Sequence, residues 1–195
     1  MLRKIGSIAG QVVESALSIV GIRHGTEEPE HTCERLTDNV ELRRYGPRIA
    51  AETTVAADDD SALNEGFRRL AGYIFGKNHG DDSIAMTAPV AQSAEEVGGG
   101  SLVRFFMPSK WTMETLPAPV DARVRLTELP AQTFAVLRFS GDRAPGAIEA
   151  WTAELWKALR AYGIEATGDP SAWFYDPPWT LPFRRRNEIA IPVNA

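Results

Sequence analysis

Apolar and polar positions alternate along Val40 to Tyr45 and again along Arg48 to Ala57, with Gly46-Pro47 between them. A period of two predicts two strands joined by a turn. The period then lengthens. Leu63, Phe67, Leu70 and Ile74 fall at i, i+4, i+7 and i+11, with Glu65, Arg68 and Arg69 on other faces, which predicts an amphipathic helix. Asp58-Asp59-Asp60-Ser61 offers side-chain oxygens to the free N–H groups of its first turn, and Gly76-Lys77-Asn78 stops it. Ile84 to Val90 and Leu102 to Met107 read as two more strands, around a loop containing Gly98-Gly99-Gly100. The order then recurs. Strands are expected over Ala122 to Leu129 and Thr133 to Gly141, followed by a helix marked by Ile148, Trp151, Leu155, Leu159 and Tyr162 and stopped by Gly163. Strands over Ala172 to Asp176 and Asn187 to Pro192 close the second unit. Two β-β-α-β-β units, alike in pattern and barely in sequence, imply an α+β fold. The expected form is an antiparallel sheet or distorted barrel with two outer helices and a cleft near a pseudo-twofold axis.

Ahead of this repeat, Ile5, Ile8, Val12, Ala16 and Ile19 lie at helical spacing. Arg3 and Lys4 before an apolar stretch imitate a signal peptide, but Gln11, Glu14 and Ser15 interrupt it and no small-x-small cleavage site follows. The segment reads as an amphipathic helix over residues 1–25 that docks on the domain, a partner or a membrane surface. A polar, loose linker from Gly25 to Glu34 follows it. The chain therefore divides into an N-terminal part, residues 1–31, and a single domain, residues 32–195.

Composition narrows the function classes. The chain has 195 residues, 44% hydrophobic and 24% charged, with a net charge of −5, so a broad nucleic-acid-binding surface is not expected. A single cysteine, Cys33, excludes an internal disulfide and a cysteine-based metal site, and it is compatible with a reducing, cytoplasmic setting. No stretch approaches the ~20 apolar residues of a membrane span.

The candidate chemistry is sparse. His24, His31 and His79 have no metal-binding spacing, and there is no phosphate loop or nucleophile elbow. Asp81-Asp82 and Glu95-Glu96 lie in loop-like stretches. The absence of a catalytic constellation favours binding over catalysis. One late run stands out: Tyr175-Asp176-Pro177-Pro178-Trp179-Thr180-Leu181-Pro182-Phe183, followed at once by Arg184-Arg185-Arg186. It reads either as a Pro-rich crossover with a solvated basic tip or as a rigid apolar lip beside cations, suited to a flat apolar acid. Arg44 shares a strand face with Val40 and Leu42 and leaves it at the strand end. It is either a snorkelling arginine or a guanidinium waiting for a ligand carboxylate. Met86-Thr87-Ala88-Pro89-Val90 is a compact element whose proline suggests an edge or a bulge, and whose methionine is core filler or a soft, weak metal ligand.

Val40-Glu41-Leu42-Arg43-Arg44-Tyr45-Gly46-Pro47, Gly66-Phe67 through Tyr73-Ile74-Phe75-Gly76-Lys77-Asn78, Ile84 through Val90, and Tyr175-Asp176-Pro177-Pro178-Trp179 leading to Arg186-Asn187-Glu188 together resemble the SOUL haem-binding protein family. The resemblance covers about Thr32 to Val193. It implies a distorted β-barrel flanked by two helices and made of two β-α-β-β-like halves. It also implies non-covalent binding of haem b or a related tetrapyrrole in an apolar cleft beside the first helix. Under it, Leu63, Phe67, Leu70 and Met86 form the apolar wall, while Arg44 and Lys77 hold propionates. Some family members carry an axial histidine at the position of Arg44; this chain does not. Tyr45, His79 and Met86 are the substitutes it offers. Trafficking, buffering or sensing is the implied role. A general module for small apolar ligands and a small-molecule hydrolase on the same scaffold are the alternatives, with Glu52, Tyr73 and Glu128 as acid–base candidates.

Overall fold

A computed structural model describes residues 26–56, 60–95 and 99–195. Their elements in chain order are β1 (His31–Arg35), β2 (Val40–Tyr45), β3 (Arg48–Val55), α1 (Asp60–Ile74), β4 (Val90–Ala94), β5 (Ser101–Phe106), β6 (Arg125–Leu129), β7 (Gln132–Phe139), α2 (Pro145–Tyr162), β8 (Glu165–Ala166), β9 (Ser171–Phe174) and β10 (Asn187–Asn194). They form one curled antiparallel sheet, a half-barrel, in the order β1-β2-β7-β10-β9-β4-β5-β3-β6, with β8 paired to β10. The two predicted units are β2-β3-α1-β4-β5 and β6-β7-α2-β9-β10. Exchanging them turns β2-β7-β10-β9 into β6-β3-β5-β4, which is the other half of the sheet read backwards. The pseudo-twofold axis therefore runs between β9 and β4.

Both helices cover the same face. Side chains alternate across each strand, so Leu42 and Val40, Ala135 and Leu137, and Ile189 and Ile191 face α2 and pack with Leu155 and Leu159. Ala51, Val103 and Phe105 face α1 and pack with Leu70, Tyr73 and Ile74. Leu63 packs against both clusters, at the seam between the helices. Pro145 opens α2, and Gly163 ends it in the left-handed conformation (φ 65°) as the sequence predicts.

The seat of α1 differs from the predicted stripe. Its most buried positions are Ala62, Gly66, Leu70, Tyr73 and Ile74. Gly66 lies directly on β5, where a Cβ would stand 2.5 Å from Cγ2 of Val103. A helix seated on a glycine comes close to the sheet, and the next side chain is turned outward. Phe67 is accordingly 40% exposed, resting edge-on against Phe105 at 5.2 Å. A hydrophobicity pattern gives glycine no weight, so the predicted stripe runs through Phe67 instead of Gly66.

Three other expectations change or fall outside view. The polar stretch ending at Glu34 is built into the sheet: Glu27 bridges Thr87, and β1 pairs with β2 from His31↔Tyr45 to Arg35↔Glu41. The segment expected as the strand Ile84 to Val90 joins the ladder only at Val90. Its earlier groups bond elsewhere, Ile84 N–H to Ile74 O, Thr87 hydroxyl to Phe106 O and Ala88 N–H to Glu27 O, and the Ala88–Pro89 peptide is cis. The amphipathic helix expected in residues 1–25 and the acidic start at residues 58 and 59 lie outside the described residues.

Candidate functional site

The six residues predicted to hold a tetrapyrrole are not brought into one group. Leu63 is half-buried and Phe67 stands at the surface of α1, whereas Leu70 is fully buried beneath it. Met86 is half-buried against the core under α1. Lys77 is exposed beyond the end of α1, its stem against Gly72. Arg44 lies on β2, five positions along the sheet from β5, exposed and 3.5 Å from Glu34 on β1. The candidate iron ligands also lie apart. Tyr45 is buried in the core of the helix-free face, Met86 packs on the helix side, and His79 is exposed in the turn after α1.

The apolar lip is present. Between β9 and β10, Trp179, Leu181 and Phe183 are 62%, 40% and 69% exposed. Its three arginines divide in use. Arg185 donates to Thr180 O (2.8 Å) and Pro178 O (2.7 Å), closing the loop on itself. Arg186 turns inward. Arg184 alone is exposed, its guanidinium over the Phe183 ring at 6.0 Å.

On the helix-free face, β2, β9 and β10 build a charge network that the sequence did not reveal. Glu188 is fully buried. Its Oε2 accepts from Arg43 Nη1 (2.7 Å) and from the Tyr175 hydroxyl (2.7 Å), and its Oε1 accepts from Arg43 Nη2 (3.0 Å) and Arg186 Nε (2.8 Å). Arg43 also donates to Glu41, and Arg186 to both oxygens of Glu28. A carboxylate has about four lone-pair sites, and four donors fill them. Burial pushes the Glu188 carboxyl up, but the bonds and charge of Arg43, with Arg186 and Tyr175, outweigh it and hold it below its ordinary range. Burial, then the Glu188 charge, holds the Tyr175 phenol well above its ordinary range. So charged and so saturated, Glu188 has no free site for proton transfer. The other acid–base candidates are similarly placed: Glu52 is bound by Arg104 and Thr127, and the Tyr73 hydroxyl donates to Pro117 O. Glu128 is exposed.

One turn further along this face lies a different arginine. Arg48 stands over the rings of Tyr45, Phe106 and Phe134, at 4.4, 5.3 and 5.6 Å from their centroids. Its Nε and Nη1 are buried with no acceptor, and it has no ion-pair partner among the described residues. Desolvation by burial lowers its pKa to about 10. Cation–π contact of about 2 kcal/mol offsets part of that penalty, while unmet buried donors cost roughly 1–3 kcal/mol each. Beside it opens a cleft of about 870 Å³, between the β2–β3 and β6–β7 turns, the loop after β5 and the segment Glu27 to Glu30. That volume is within the ~300–1,000 Å³ usual for small-molecule sites. The signal for Arg43, Tyr45 and Arg48 was their shared alternation on β2 and β3, which acquires meaning once both faces of these strands are covered.

The chain thus folds as a half-barrel of two quasi-equivalent halves, with an exposed apolar lip and a cleft open to solvent. The SOUL heme-binding protein family matches residues 26–192, and the chain belongs to that family. It is 35% identical over 108 residues to Heme-binding protein 2 of Homo sapiens, and 34% identical over 109 residues to Heme-binding protein 2 of Mus musculus. Both matches span 52% of each chain, so it covers about half the length of these curated relatives. Among solved structures it is similar to the C-terminal domain of EcmrR (TM-score 0.61, 14% identity, 80% of this chain and 96% of that one). It is also similar to a hydrolase from Listeria innocua (TM-score 0.56, 14% identity, 80% and 92%). At such identity these two likenesses concern the fold alone.

Proposed function

We propose that this protein binds haem b or a related tetrapyrrole reversibly and non-covalently, for trafficking or buffering in the cytoplasm. The observation that carries the reading, beside family membership, is the exposed apolar lip: three large apolar side chains in one short loop, ending in the solvent-facing cation Arg184. Burying ~300 Å² of such surface at about 25 cal/mol per Å² supplies on the order of 7 kcal/mol before association costs. Leu63, at the seam of the helices, packs against the core cluster that contains Phe174, the last residue of β9 before the lip. Leu63 and Phe67 would extend the apolar surface, and Arg184 would receive a propionate. Haem, when bound, would supply an iron centre for ligand binding and electron exchange. The lip fits the macrocycle and its acid groups better than the iron, since residues 175–186 offer apolar side chains and guanidinium groups but no His, Cys or Met, and the Tyr175 hydroxyl is already bonded to Glu188. The exposed, unpaired Cys33 accords with a reducing compartment.

The test is an absorbance titration with hemin and protoporphyrin IX. Phe183→Asp is expected to weaken both ligands at least tenfold, Arg184→Glu several-fold, and Arg44→Ala less than twofold. Absence of saturable binding to the unmodified chain rejects the reading. A sharply shifted Soret band with hemin alone would instead reveal an axial ligand.

A further inference from the structure

No residue of α1 or of the lip lines the cleft beside Arg48, although Met107 and Trp111 on its wall also pack with the core under α1. Arg48 points to the helix-free face, opposite α1, and the residues around the cleft come from turns and loops other than β9–β10. Two of its guanidinium nitrogens are sealed against aromatic rings without acceptors. The third, Nη2, has no hydrogen-bond partner among the described residues and is not among the sealed atoms, so it is the edge Arg48 presents to the cleft. The walls there are Phe106, Met107, Trp111, Met113 and Leu129, and the indole N–H of Trp111 also lacks an acceptor.

The rim is acidic, and this narrows the ligand. Glu28 is already bound by Arg186, and Glu27 accepts the Ser109 N–H at 2.7 Å. Glu30, Glu114 and Glu128 are exposed, where water and salt screen them. Such a rim repels a polyanion more than a monoanion, while the desolvated cation within rewards one acid group. We infer that this cleft is a second ligand site, for a small apolar monoacid whose carboxylate or sulfonate meets Arg48 while its hydrocarbon body lies along Phe106, Met107, Met113 and Leu129.

The probes are 1-anilinonaphthalene-8-sulfonate and N-phenyl-1-naphthylamine, which share an aromatic body and differ in the acid group. The full chain is expected to bind the sulfonate saturably, one to one, with displacement by dodecanoate. Arg48→Met should weaken the sulfonate at least tenfold and leave the amine within twofold. Leu129→Glu, which adds a carboxylate to the wall without touching Arg48, should weaken the sulfonate as well; it serves if the methionine variant does not fold. Phe183→Asp should impair hemin and leave the sulfonate unchanged, so the two sites fail independently. Equal sulfonate binding by Arg48→Met, or by Leu129→Glu, overturns the proposal. So does loss of sulfonate binding in Phe183→Asp, which would make the lip its site.

Discussion

Two arginines on the helix-free face, five residues apart, have opposite fates. Arg43 is 4% exposed and grips Glu188 through two parallel hydrogen bonds. Arg48 is held between aromatic rings with no counter-ion among the described residues. The same residue type closes the sheet in one place and remains electrostatically unfinished in the other. A buried charge is thus no function signal by itself; its unmet partners are. By this criterion the network at Glu188 is structural, and the cleft at Arg48 is where an external anion gains most.

Removing the shared acid should break the finished half most severely. Glu188→Ala leaves Arg43 and Arg186 facing each other in the interior, and should cost about 4–5 kcal/mol, read as a lower urea midpoint. Arg43→Met leaves Glu188 with Arg186 and Tyr175, and should cost about 3–4 kcal/mol. Acid should reproduce part of this. Because the folded Glu188 pKa lies below its ordinary 4.5, its contribution is present above about that pH and is lost as pH falls through the folded value. Urea midpoints measured from pH 7 to pH 3 should therefore fall below pH 4.5, and Glu188→Gln should flatten that part of the profile. The smallest effect is expected at the unfinished half. Arg48→Met trades cation–π attraction for relief of desolvation, so stability should shift by about 1 kcal/mol or less. A loss there as large as at Arg43 would show that the two arginines are alike after all.

The helices repeat the lesson in apolar terms. α2 reaches the sheet through Leu155 and Leu159, with Trp151 stacked on Phe139 at 5.3 Å. α1 reaches it through Gly66 and leaves Phe67 outside. Adding a methyl group at Gly66 would press on Val103, a stiff β-branched side chain of the core strand, at a cost of roughly 1–3 kcal/mol.

The helices, the stop at Gly163, the two-unit architecture and the strands apart from β1, β4 and β8 followed from the sequence alone, because they depend on periods of 2 and 3.6 and on turn residues that act locally. The apolar, basic lip was legible for the same reason: Trp179, Leu181, Phe183 and Arg184 are neighbours in the chain. The buried charge network was not. Glu188 meets Arg43 across 145 positions, and Arg43 lies one residue from the exposed Arg44. Composition cannot distinguish those two neighbours. Strand pleat sends them to opposite faces, and only the curling of the sheet, which buries the second face, decides that one becomes interior and the other solvent-exposed. Arg48 became a candidate for the same reason, since its rings come from β2, β5 and β7 and its missing partner is a property of their assembly.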